Sequence, residues 1–442
     1  MINILLRLLI TVALLLSGPA WAQLLWHHGN TLNPAGQQLQ QLLLPDEPAF
    51  AAMSPAERDD WLTREWRAVL QERERFAQYT LPAHWRTEGF DQAIRQQELT
   101  TYMAGQAPDY HGYRELQRHY QRLADVTHYT TLPSGPNVRP GERDAIIPVL
   151  RQRLAELGRQ VPVPVGRADV LDPPLSETLS TLQRAGGLEV TGGLNQATRA
   201  LINRPPAELR AEIKINLHRW LRLPPATRDY VLINIPSYRL TLVRDGRPQL
   251  AMKVIVGRPD WPTPELATHI DALKVNPDWT PTANIMREDL LPAQRRDAGY
   301  LDRNGFIAWL PGESAPVLPS SINWQAPPPG LRLVQEPGPH NALGRLKFEM
   351  RNRHSVYLHD TPHKSLFGRD RRALSHGCVR LAEPAALASG LGWQVPGHER
   401  TQVLPPSQRL PVYMVYFTTW SEGGSLVFAG DIYGKNRAAN DA

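Results

Sequence analysis

The sequence of 442 residues holds one cysteine, Cys378, so it forms no internal disulfide, and a cystine-framed scaffold is excluded. It also lacks long apolar runs. Beyond Leu8 to Leu16, no segment approaches the roughly 20 apolar residues that a bilayer span needs. Strong charge of one sign is missing too. A formal charge of +6 spread along the chain selects neither cell wall nor nucleic acid as an anionic partner. With 42% hydrophobic and 21% charged residues, the composition is that of a globular protein, not a disordered or fibrous one.

The N-terminus carries Arg7, then the apolar run, then Gly18-Pro19 and the small-x-small triplet Ala20-Trp21-Ala22. This order reads as a secretory signal peptide over residues 1–22, cleaved near Gln23, with an uncleaved anchor as the alternative. Export makes the periplasm the expected location and speaks against nucleic acid as a partner. It also gives the single thiol meaning. An unpaired cysteine in an oxidising compartment is a liability, so it is either buried and inert or present for its chemistry.

Length implies two or three domains, and 41 prolines imply long loops and linkers. Residues 23–135 read as a helical scaffold. Ser54-Pro55-Ala56-Glu57 is a capping box, followed by Leu62, Trp66, Val69 and Phe76 at helical spacing. Tyr113, Leu116, Tyr120 and Leu123 form a second stripe. Trp61, Trp66 and Trp85 suit a sugar groove less well than a core. After a Pro/Gly-rich linker, residues 140–205 make a small three-helix unit. Its stripes are Ile147-Leu150-Leu154-Leu157, Leu175-Leu179-Leu182 and Thr198-Leu201-Ile202, with Asn195 a candidate N-cap. Periodicity then changes to two. Val231, Ile233 and Ile235, the turn Asp245-Gly246, and Met252, Val254 and Val256 predict a hairpin opening a β-rich domain over 226–418. Its closing strand is Val412 to Phe417. Within it, residues 258–339 read as a proline-rich insertion that caps the site. Residues 419–442 are a tail of no assigned role. The fold class expected is therefore multidomain α+β.

Chemistry concentrates in Gly338 to Phe348, Val356 to Pro362 and Leu374 to Leu381. Ser375-His376-Gly377-Cys378 reads as a tight turn whose backbone N–H groups can converge into an anion nest. For acyl transfer such a nest is an oxyanion hole, each donor worth about 10²–10³ in rate. A thiol is only a few per cent ionised at neutral pH, and a neighbouring histidine can raise that fraction. His359, at the end of the apolar strand Val356 to Leu358, is favoured over His376 as the base. The carboxylate or the carbonyl of Asp360 can orient it. An inert buried thiol is one alternative. A zinc site of His359, His363, His376 and Cys378 is another, although Pro362 disfavours a shared helix face for the two nearest histidines.

The run Ser-His-Gly-Cys-Val-Arg-Leu, with a histidine 19 residues before the cysteine, resembles the YkuD-type L,D-transpeptidase catalytic domain. Ile255-Val256-Gly257-Arg258-Pro259, Pro339 to Gly344 and Tyr357 to Pro362 are also similar. The three-helix unit resembles the peptidoglycan-binding-domain-1 family, departing from it at Thr191 and Asn195. The whole arrangement is similar to the large YcbB-like subgroup. The resemblance implies a multidomain α+β protein with a mostly-β YkuD domain and no cofactor or metal. It implies Cys378 as nucleophile, His359 as base oriented by the Asp360 carbonyl, and Ser375, His376 and Gly377 as part of the oxyanion turn. Asn341, Tyr357 and Arg380 are candidate substrate contacts, Arg380 alternatively pairing with Asp360 or Glu383. The implied reaction joins peptidoglycan stem peptides 3→3 through a Cys378 thioester, releasing D-alanine. Glycan strands are expected partners and carbapenems expected inhibitors. L,D-carboxypeptidase action, anchoring of a wall protein and non-catalytic wall binding remain alternatives.

Overall fold

The computed structural model describes residues 24–126, 128–224, 228–397, 400–406 and 408–436. The expected signal segment lies outside the described residues. The chain divides into two units: Met1–Glu72 with Pro82–Ala107, and Arg73–Leu81 with Pro108–Ala442.

The first unit is helical apart from the paired strands β1 (His27–His28) and β2 (Thr31–Leu32). The helix Pro55–Phe76 starts on the expected capping box: Ser54 N–H donates to Glu57 Oε2 at 2.7 Å, and Glu57 N–H donates to Ser54 Oγ at 3.3 Å. Its inward residues Leu62 and Trp66 are fully buried, with Trp26, Leu39 and Phe90. Trp66 is thus a core residue.

The scaffold expected over 23–135 ends earlier. Helix His111–Ala124 belongs to the second unit because its apolar stripe is buried there against helix Pro206–Trp220. The Tyr110 ring lies tilted 5.1 Å from Trp220, and the Arg210 guanidinium lies 4.4 Å from the Tyr120 ring centre. The three short helices are Ile146–Glu156, Pro173–Ala185 and Gln196–Ile202. Leu150, Leu154, Leu175, Leu179 and Ile202 make their common core. Asn195 caps the last helix by accepting from Thr198 N–H at 2.9 Å.

The sheet that carries the site begins with β3 (Tyr230–Asn234), β4 (Arg239–Arg244), β5 (Arg247–Gly257) and β6 (Leu266–Val275). Asp245 and Gly246 have φ of 50° and 72°, the left-handed pair that a two-residue hairpin requires. Strands β7 (Phe306–Trp309) and β8 (Arg332–Gln335) form a separate hairpin. The chain returns through β9 (Leu346–Met350), β10 (Leu358–His359), β11 (Ala373–Ser375), β12 (Val379–Leu381), β13 (Gln402–Leu404) and β14 (Pro411–Val415). The order is β11-β5-β12-β10-β9-β6-β14-β3-β4, with β13 on β6. Long β5 also pairs with β4, so the sheet closes on itself around Val231, Ile233, Leu240, Val254, Leu273, Phe348 and Val412.

Two expected boundaries are corrected. The insertion does not start at 258, because residues 266–275 form β6, a strand hydrogen-bonded to β9 and β14. Prolines 259, 262 and 264 flank this strand and disguise it as loop. The inserted segment follows Val275 and has its own small core of Leu290, Leu301, Phe306, Ala308, Trp324 and Leu333. The described residues 419–436 are ordered within the second unit. Strands β15 (Thr419–Glu422) and β16 (Ser425–Phe428) pair, and Tyr433 then reaches back to donate to the Gly257 carbonyl at 2.6 Å.

Candidate active site

Strand β10 runs parallel to β12 with Leu358 opposite Val379 and His359 opposite Arg380. Side chains alternate along a strand. Leu358 and Val379 therefore share the inner face, and both are fully buried. Tyr357, His359, Cys378 and Arg380 share the other face. The histidine and the cysteine, 19 residues apart in sequence, become diagonal neighbours on adjacent strands.

His359 Nδ1 lies 2.5 Å from the carbonyl of Asp360. A carbonyl only accepts, so Nδ1 carries the proton and Nε2 is left as the ring's acceptor. Of the two orienting groups considered for Asp360, the carbonyl does the work. Its carboxylate is occupied elsewhere, accepting from Thr361 N–H at 2.7 Å and Arg345 N–H at 2.9 Å and pairing with Lys364 at 2.6 Å.

The turn before the sulfur is tied by one hydroxyl. Ser375 Oγ donates to the Cys378 carbonyl at 2.6 Å and accepts from Gly377 N–H at 3.1 Å. Gly377 has φ +109°, a conformation that side chains oppose. Because Gly377 N–H is taken, it is not a free oxyanion donor. Among the described residues, no acceptor takes the N–H of His376 or of Cys378. The His376 side chain turns from the sulfur: Nε2 sits 3.0 Å from Asp289 Oδ2, and the ring meets Trp261 edge-on at 5.4 Å. Its side chain is therefore a link to the inserted segment.

Cys378 is partly exposed, and its Sγ lies 4.0 Å from the Ser355 carbonyl. Burial of the sulfur pushes the thiol up, opposed by hydrogen bonds from Tyr357 N–H and O–H and by Lys347 and Arg380. Tyr357, a candidate substrate contact, is half-buried beside the sulfur, and burial raises its phenol pKa far above the ordinary value. Among the described residues no hydrogen bond joins the sulfur to the His359 ring. Burial lowers the His359 pKa to about 3, and the flanking cations Arg380, Lys347 and Lys364 add to the depression. Register explains two of them: Arg380 stands opposite His359 on β12, and Lys347 opposite it on β9. Burial thus disfavours the charged form of both groups, raising the thiol and lowering the imidazole.

Asn341 is also corrected. Its side chain is buried, its Nδ2 reaching the carbonyls of Pro277 (3.0 Å), Glu336 (3.0 Å) and Gln335 (3.3 Å). Its Oδ1 accepts from Leu343 N–H at 2.8 Å. No donor or acceptor remains for substrate; the residue knots the two ends of the inserted segment. Asn341→Ala should cost about 2 kcal/mol of stability by orphaning buried carbonyls, leaving KM for substrate unchanged in the folded fraction. Thermal unfolding with parallel kinetics checks this.

Arg380 pairs with neither Asp360 nor Glu383. Its Nε is buried without a hydrogen-bond partner, and no carboxylate pairs with the guanidinium among the described residues. His363 is exposed, and the four candidate zinc ligands do not gather: no metal-holding group of His, Cys, Asp or Glu occurs among the described residues. Lys347 and Trp279 had no sequence signal. Their importance comes from register and from the fold of the inserted segment.

A partly exposed thiol, an imidazole with a fixed tautomer, free backbone N–H groups and an unpaired guanidinium together suit transfer of an acyl group from an anionic donor. Residues 228–391 match the family model of the YkuD L,D-transpeptidase catalytic domain. A Haemophilus influenzae protein named "Putative L,D-transpeptidase" is 35% identical over 245 residues, covering 53% of this chain and 50% of that protein. The chain thus spans about half the length of this curated relative. An L,D-transpeptidase from Mycobacterium smegmatis is similar at 14% identity and TM-score 0.24, over 42% of this chain and 58% of that one. An L,D-transpeptidase solved with imipenem is similar at 15% and 0.24, over 42% and 59%. Likeness at that score carries no argument.

Proposed function

We propose that the protein is a periplasmic L,D-transpeptidase that forms 3→3 cross-links between peptidoglycan stem peptides. The supporting observation is the alignment of Cys378, His359 and Arg380 on one sheet face, inside a catalytic-domain match. Cys378 Sγ attacks the carbonyl between the third and fourth residues of a tetrapeptide stem while His359 Nε2 takes the thiol proton. The carbonyl oxygen becomes an oxyanion facing the turn N–H groups. Collapse expels D-alanine, whose amine receives the proton from His359, and leaves a thioester on Cys378. The side-chain amine of a second stem attacks that thioester, and the sulfur regains a proton. Arg380 holds a stem carboxylate through paired hydrogen bonds. The three-helix module contacts glycan strands. A carbapenem, as a strained amide, acylates the same sulfur.

The purified protein is incubated with a disaccharide-tetrapeptide, and the products are identified by mass spectrometry. Cross-linked dimer with equimolar D-alanine is expected. Tripeptide with D-alanine and no dimer makes the protein an L,D-carboxypeptidase. Absence of both products and of any adduct on Cys378 leaves a wall-binding scaffold and overturns the proposal.

A further inference from the structure

Thr263 is fully buried beneath the turn that carries the nucleophile. Its hydroxyl accepts from Gly257 N–H at 2.8 Å and donates to the Gly377 carbonyl at 2.8 Å. Its own N–H donates to Tyr433 Oη at 3.2 Å, and Tyr433 O–H donates to the Gly257 carbonyl at 2.6 Å. Tyr433 N–H in turn donates to Tyr416 Oη at 2.7 Å, and Tyr416 O–H donates to Asp431 at 2.7 Å. The C-terminal segment, the 257–263 loop and the turn at 375–378 are one hydrogen-bonded stack. The approach is close enough that a Cβ on Gly257 would meet Trp261 O at 2.0 Å.

The Gly377 carbonyl and the Cys378 N–H belong to one planar trans peptide, so they point in opposite directions. Anchoring the carbonyl on Thr263 fixes where the Cys378 N–H points. Ser375 Oγ holds the Gly377 N–H and the Cys378 carbonyl, the groups on either side of that peptide. The peptide plane is thus held from both ends, with only the Cys378 N–H left unspent.

We propose that Thr263 is a positioning residue for the oxyanion site: with Tyr433 it locks the Gly377–Cys378 peptide so that the Cys378 N–H faces the carbonyl oxygen of the acyl donor. The C-terminal segment is then part of the catalytic apparatus. The inference rests on the acyl-transfer role given to Cys378. It adds what orients the donor, which neither the thiol nor His359 supplies.

Two reactions of the same sulfur separate the roles. Acylation by imipenem builds an oxyanion; alkylation by iodoacetamide builds none. Both rates are measured at pH 8 by intact mass on the full chain. Thr263→Val, which keeps shape and loses both hydroxyl bonds, should slow acylation between about tenfold and a hundredfold, less than the roughly 10²–10³ for loss of a whole donor, because the donor is misdirected and not removed. Alkylation should stay within about twofold, since it needs no such donor. Thr263→Ser should restore acylation. Parallel falls in both rates, or unchanged acylation, overturn the proposal. If Thr263→Val does not fold, Tyr433→Phe decides: acylation must slow while alkylation does not. A wild-type protein that alkylates but never acylates instead removes the acyl-transfer reading itself.

Discussion

Cys378→Ala should form no adduct with a stem tetrapeptide or with imipenem, and its release of D-alanine should fall to background. The loss should be complete because no neighbour can take over. Ser375 Oγ is committed to the Cys378 carbonyl and to Gly377 N–H. The Tyr357 phenol is held far above its ordinary pKa, chiefly by burial and then by the adjacent sulfur, so it offers no phenolate. Cys378→Ser should behave almost as poorly, because a neutral imidazole deprotonates a hydroxyl far less readily than a thiol. Thermal stability should change little, the sulfur being partly exposed. Intact mass and unfolding curves on the same samples test both halves. Full turnover by the alanine variant would falsify the mechanism.

How much of this was legible beforehand depended on the range over which each signal acts. The capping box, the Asp245-Gly246 hairpin and the Asn195 cap are decided by residues a few positions apart, and sequence displays them. Cys378 and His359 were legible because short runs carry their turn and strand. Strand β6 was not. Its residues, Leu266 to Val275, mix Thr268, His269, Asp271 and Lys274 among the apolar ones, and only pairing with β9 and β14 makes it a central strand. The role of Asn341 was misjudged for the same reason. Polar side chains near a site look alike in sequence, whether they face substrate or neighbouring protein groups. Tyr433 lies 55 residues beyond the cysteine, and nothing local ties it to Gly257.

His359→Gln should slow acylation by about 10²–10⁴, the usual worth of a general base. The wild-type pH profile should carry a further signature. An ordinary imidazole would give an acidic limb near its unperturbed pKa of about 6.5. Here burial, with Arg380 and Lys347 on the two neighbouring strands, keeps the ring unprotonated down to about 3. The limb in kcat/KM that reports the free enzyme should therefore lie well below pH 6.5. Lys347→Gln removes a cation, favours the protonated ring and should shift that limb upward. A substrate carboxylate on Arg380 acts in the same direction, so the limb in kcat should sit above the limb in kcat/KM. Stability obeys the same linkage. The unfolded chain takes up this proton below about pH 6.5 while the folded one refuses it, so stability should fall as pH drops from there toward 3. His359→Gln should flatten that slope. A wild-type limb centred at the ordinary histidine value, unmoved by Lys347→Gln, would mean that the ring is not the buried base between two cations on which the chemistry depends.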